Sequence, residues 1–69
     1  MNSLQFNALK IRVFARLREK GPATVQALAS ELEAPQGNVQ FALEQLSKAD
    51  CVVRLPYGLW DAAELIKVA

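Results

Sequence analysis

Histidine is absent from the 69-residue sequence, and cysteine occurs once, at Cys51. Those counts exclude a His-based triad, a zinc site built on the usual His and Cys ligands, and a disulfide within one chain. No nucleophile–base pair or pair of acids stands out, and neither GxxxxGK nor GxGxxG occurs. No catalytic residue, metal or cofactor is expected, and the chain is not expected to be an enzyme. What remains is a stretch of amides and small residues, Gln36, Gly37, Asn38 and Gln40, followed by Phe41, Gln45 and Lys48. Asn and Gln can bond an adenine edge in two places, and a Lys can neutralise a phosphate. These side chains suit recognition rather than bond making.

A helix is needed to hold those groups, and the apolar spacing supplies one. Val39, Ala42, Leu43 and Leu46 follow i, i+3, i+4, i+7 from about Gln36 to Ala49-Asp50. The opposite face then carries Gly37, Asn38, Phe41, Glu44, Gln45 and Lys48, with Gln40 at its edge. Two further helices precede it. Phe6, Leu9, Val13 and Leu17 line one face of residues 3–20, which stop at Gly21-Pro22. Val25, Leu28, Ala29 and Leu32 repeat the pattern behind Thr24, a good N-cap. Pro35 disfavours helical geometry at Ala34 and separates the second helix from the third. Beyond Asp50, Cys51-Val52-Val53-Arg54-Leu55 reads as a strand, Pro56-Tyr57-Gly58 as a turn and Leu59-Trp60 as a returning strand. Asp61-Ala62-Ala63-Glu64 has the pattern of a capping box, so a short helix is expected through Val68. Cys51 and Trp60 are expected to be buried, and Tyr57 to sit at the hairpin tip.

Composition agrees with one small folded domain over residues 1–69. Apolar residues make up 52% of the chain, enough for a compact core and too many for a disordered tail. No apolar run approaches the ~20 residues of a membrane span, and no leader pattern opens the chain, so a cytoplasmic location is expected. The net charge of +1 hides an asymmetry. Residues 1–20 hold five basic side chains against one acid, and residues 21–69 hold three against six. Arg12, Arg16 and Lys20, four apart, form either a solvated stripe or an approach to phosphate.

The stretch from Thr24 to Trp60 resembles the winged helix-turn-helix superfamily. Thr24–Leu32 looks like the first helix of the motif, with small Ala29 where two helices meet. Pro35-Gln36-Gly37-Asn38-Val39 resembles the entry into the recognition helix. Residues 51–60 resemble the wing, closed by Trp60. Two departures stand out: Glu33 occupies the turn position where Gly is common, and the third helix has no Arg. Regulators of the ArsR and MarR type share such segments, and no subfamily is assigned. The resemblance implies a mainly α fold with a small β-hairpin: a three-helix core, a short wing and a short C-terminal helix. It also implies a small sequence-specific DNA-binding regulator of prokaryotic or phage type, associated with the nucleoid. Its helix 36–49 would enter the major groove of double-stranded DNA. The residues that would meet DNA are Thr24, Gln36, Gly37, Asn38, Gln40, Phe41, Gln45, Lys48, Arg54 and Tyr57.

Two features leave other partners open. Phe41 is a large apolar group opposite the core stripe, so an alternative is a protein-interaction module that does not bind DNA. Leu4, Ala8, Ile11 and Ala15 form a second apolar line on the first helix, with spacings of four, three and four. This seam suits a homodimer contact, because a small core gains from burial against a second copy. The competing occupant is Leu65, Ile66 and Val68 of the same chain.

Overall fold

A computed structural model describes residues 2–63. Three helices come first, with a short strand between two of them: α1 (Ser3–Lys20), β1 (Ala23–Thr24), α2 (Val25–Leu32) and α3 (Gln36–Lys48). Strand β2 (Val52–Arg54), a single turn at Pro56–Gly58 and strand β3 (Leu59–Ala62) complete the order. The fold is a winged helix-turn-helix, mainly helical.

Helix α1 starts because Asn2 caps it. The Gln5 N–H donates to Asn2 Oδ1 (2.8 Å), and the Asn2 N–H donates to Gln5 Oε1 (3.2 Å). This reciprocal pair satisfies two amides that the first turn leaves open. Gly21 ends the helix at φ 92, where its N–H reaches the Leu17 carbonyl. Thr24 caps α2 as expected, accepting the Ala27 N–H at Oγ1 (3.1 Å). The turn after α2 closes with Glu33 in the left-handed region, φ 55 and ψ 46. Beyond it the Ala34 N–H donates to the Ala29 carbonyl (3.0 Å).

The core lies where the three helices meet. Val13 and Leu17 of α1, Leu28 of α2, and Val39 and Leu43 of α3 are all under 2% exposed. Ala29 and Ala42 are buried too, small enough to let α2 and α3 come together. Val52 and Trp60 seal this core from the sheet side. Phe6, Val25, Leu32 and Leu46, expected in the core stripes, pack against its rim and are half-buried.

The wing differs from the expected hairpin in three ways. It is three-stranded and antiparallel, in the order β1-β3-β2, because Ala23 pairs with Trp60 and Thr24 with Leu59. A two-residue strand has no periodicity to reveal it, and its partner lies over thirty residues away. Strand β3 also runs through Ala62, with Val53 opposite Asp61 and Val52 opposite Ala62. Asp61 is therefore a strand residue and caps no helix; its Oδ1 accepts the Ala62 N–H (2.8 Å). The rest of the expected C-terminal helix lies outside the described residues. Finally, Cys51 is half-buried rather than sealed, because β2 begins one residue later.

Candidate nucleic-acid interface

Three elements converge on an open cleft beside α3. Thr24 and Gln26 come from the start of α2, Gln40 from α3, and Arg54, Tyr57 and Trp60 from the wing. Each is placed by a local cause. Thr24 is fixed as both the end of β1 and the cap of α2. Gln40 lies one residue past Val39, at the edge of the core stripe. Arg54 pairs across the ladder with Trp60, and its guanidinium lies over the indole, 5.7 Å from the ring centroid. That cation–π contact holds the wing's single basic group at the cleft wall. Tyr57 stands at the wing tip with 96% of its surface exposed, in a left-handed conformation (φ 66, ψ 27). A bulky residue at positive φ is an outlier.

The structure divides the ten residues that the sequence marked for DNA. Thr24, Gln40, Arg54 and Tyr57 meet in the cleft. Gln36 lies one turn before Gln40 on the same flank, and Gly37 beside it is exposed. Both occupy the first turn of α3, whose N-cap Pro35 makes no side-chain cap, so the opening amides of the helix point outward unpaired by side chains. Lys48 is exposed in the last turn. The other flank of α3 turns toward α1. There Asn38 and Phe41 line a second hollow with Asn2, Ser3 and Phe6, and Gln45 follows one turn after Phe41. Phe41 is 51% exposed and stacks on Phe6, with centroids 5.0 Å apart and rings inclined by 29°. Gln26 was not marked from the sequence. Its position two residues after the cap was the available signal, since the first turn of α2 also faces the cleft.

The basic stripe of α1 is engaged within the fold. Arg16 forms a two-pronged pair with Glu31 of α2, its Nη2 3.0 Å from Oε2, and also reaches the Gly21 carbonyl (3.3 Å). Arg12 donates to the Leu32 carbonyl at the end of α2 (3.3 Å), where a cation offsets the negative end of the helix. The hydrogen bond from Arg16 holds the Glu31 carboxyl below the ordinary carboxylate range. Lys10 and Arg18 lie over the rings of Phe6 and Phe14. Arg12 and Lys20 are exposed, as a solvated stripe would have them, and Arg12 and Arg16 in addition tie α1 to α2. Among the described residues the second apolar line of α1 is uncovered: Leu4 is 78% and Ile11 69% exposed, with Ala8 between them and Ala15 beyond Ile11 exposed as well, while Leu65, Ile66 and Val68 lie outside the described residues.

Among the described residues no cluster of His, Cys, Asp or Glu is arranged to hold a metal ion, and no helix is long and apolar enough to cross a membrane. The fold is similar to two Zα domains solved with Z-DNA. That of PKZ from Carassius auratus superposes with a TM-score of 0.79 at 18% identity, over 84% of this chain and 97% of that one. That of ORF112 from Cyprinid Herpesvirus3 superposes with a TM-score of 0.72 at 24% identity, over 90% of this chain and 98% of that one. At these identities the likeness is one of fold. No curated protein matches the chain. The family model described as sugar-specific transcriptional regulator TrmB matches residues 1–58, from the first helix to the tip of the wing. With that match running through α1, the helix-turn-helix and the wing turn, the chain belongs to the TrmB family of transcriptional regulators.

Proposed function

We propose that the chain is a transcription regulator that binds double-stranded DNA in a sequence-dependent way. Helix α3 enters the major groove with Gln36, Gly37 and Gln40 leading. Thr24 and Arg54 meet phosphate on either side, Tyr57 extends along the groove, and Lys48 approaches the backbone from the last turn. The observation that carries this reading is the cleft itself, where an amide of α3, the capped start of α2 and the single cation of the wing face one space. Two copies joined through Leu4, Ala8, Ile11 and Ala15 would present two such helices to half-sites about one helical turn apart.

The test is titration of duplexes with the purified protein across a salt series. The probes include right-handed random-sequence duplexes and a left-handed duplex, the form held by the two Zα domains. Affinity should fall linearly on a log–log scale, with a slope of about −0.9 per phosphate contact. Arg54→Ala should weaken all sequences alike and flatten that slope by about one. The reading fails if no duplex binds more tightly than about 10 μM at about 50 mM salt. If in addition Phe41→Ala releases a co-purifying protein, a protein-interaction role on the exposed Phe6–Phe41 stack takes its place.

A further inference from the structure

The exposed side of α3 carries an acid at its centre, where a DNA-facing helix would gain from a cation. Glu44 is exposed, and among the described residues the single salt bridge is Arg16–Glu31, so Lys48 one turn away leaves Glu44 uncompensated. Glu44 instead accepts a hydrogen bond at Oε2 from Gln40 Nε2, at 2.9 Å. An ionised carboxylate only accepts, so this bond also fixes which end of the Gln40 amide faces it. Among the described residues Glu44 Oε1 and Gln40 Oε1 take no hydrogen bond. Gln40 lines the cleft with Arg54 and Tyr57, so the pair stands on the wing-side flank of α3.

Its chemistry is selective. The bond ties the carboxylate to Gln40 and leaves Glu44 Oε1 and Gln40 Oε1 as acceptors without a partner among the described residues. In the major groove guanine shows only acceptors, thymine an acceptor and a methyl group, and adenine the N6 amino donor beside an N7 acceptor that would repel a carboxylate, whereas cytosine shows the N4 amino donor alone. A carboxylate set against guanine O6 and N7 would face like charge density; against cytosine it accepts a hydrogen bond. We propose that the Gln40–Glu44 pair reads a cytosine, with Glu44 Oε1 accepting from N4 and Gln40 holding the carboxylate in position. The acid that lowers general affinity for phosphate thereby supplies sequence preference. This inference rests on the DNA-binding reading above and adds to it the base that α3 selects.

The experiment is selection from a random-base duplex pool by the full chain and by Glu44→Gln and Gln40→Ala, followed by sequencing of the bound DNA. Glu44 is exposed and Gln40 half-buried at the edge of the core stripe, so both variants should keep the fold, which thermal melting verifies. The unsubstituted chain should enrich a cytosine at one position of the site. Glu44→Gln should lose that preference by about five- to 150-fold, the range that one good base contact supplies, and shift toward adenine while total affinity holds or rises. Gln40→Ala should weaken the same preference without moving it to another base. If the full chain binds DNA but Glu44→Gln keeps the cytosine, or gains affinity with no change in preference, the pair reads nothing and Glu44 only repels phosphate. If the full chain binds no duplex, the DNA-binding reading falls and this inference with it.

Discussion

At Glu33 a carboxylate side chain sits on backbone that favours glycine. Its φ of 55 and ψ of 46 put it in the left-handed region, where Cβ crowds the following carbonyl. The conformation is required, because it lets Ala34 reach back to Ala29 and turns the chain from α2 into α3. Glu33→Gly should therefore stabilise the protein by roughly 1 kcal/mol. The readout is a higher urea midpoint with an unchanged slope; an unmoved midpoint would mean that the turn carries no such strain. The sequence marks this position by its place between two helices, so the geometry was legible although the residue departs from the usual choice. The partner of Arg16 was not. A spacing of four along α1 shows which side chains share a face, but Glu31 is brought to Arg16 only by the crossing of two helices. Tyr57 repeats the strain of Glu33 at the wing tip with a bulkier side chain.

Helix α3 contains its own contradiction at Gly37. Glycine inside a helix costs about 0.5–1 kcal/mol relative to alanine, and a Cβ added at Gly37 would meet nothing within 4 Å. Packing within the chain therefore gives no reason for the residue. A close approach of phosphate to the first turn does, since a methyl group there would hold the backbone away. Gly37→Ala should raise the melting temperature and weaken duplex binding at the same time. If stability and affinity both rise, the first turn of α3 is not where DNA comes closest. The helices themselves were readable from apolar period alone: the most deeply buried side chains, Val13, Leu17, Leu28, Val39 and Leu43, all fall on the expected stripes. The flanks of α3 were less so. Helical geometry opposes Asn38 and Phe41 to the core, but whether they face the groove or α1 depends on Phe6, which stacks on Phe41 from another element. Strand β1 was invisible for a related reason, because its ladder partner β3 is distant in sequence.

At the scale of the whole molecule, charge and exposed apolar surface are divided between different faces of α1. The basic excess of α1 is largely spent on α2 and on neighbouring rings, while its opposite line leaves Leu4 and Ile11 largely exposed. A second copy packed on that line would bury both. Sedimentation should therefore find a species of about 15 kDa, twice the 7.6 kDa chain, and Ile11→Glu should return it to the monomer with its helical content intact. A monomer of the unsubstituted chain at high micromolar concentration would overturn the dimer. The seam was legible as spacing, but its exposure needed the crossing of α1 over the other helices. Thr24 links these scales. One residue is at once the ladder partner of Leu59, the cap of α2 and a wall of the cleft. The wing consequently has no hinge of its own: tilting β3 would pull Thr24 away from the Ala27 amide and open the first turn of α2. On the DNA-binding reading, a domain built this way should meet a duplex as a stiff template and leave the bending to the DNA. Among sites offering the same base contacts, those with easily kinked pyrimidine–purine steps then bind best.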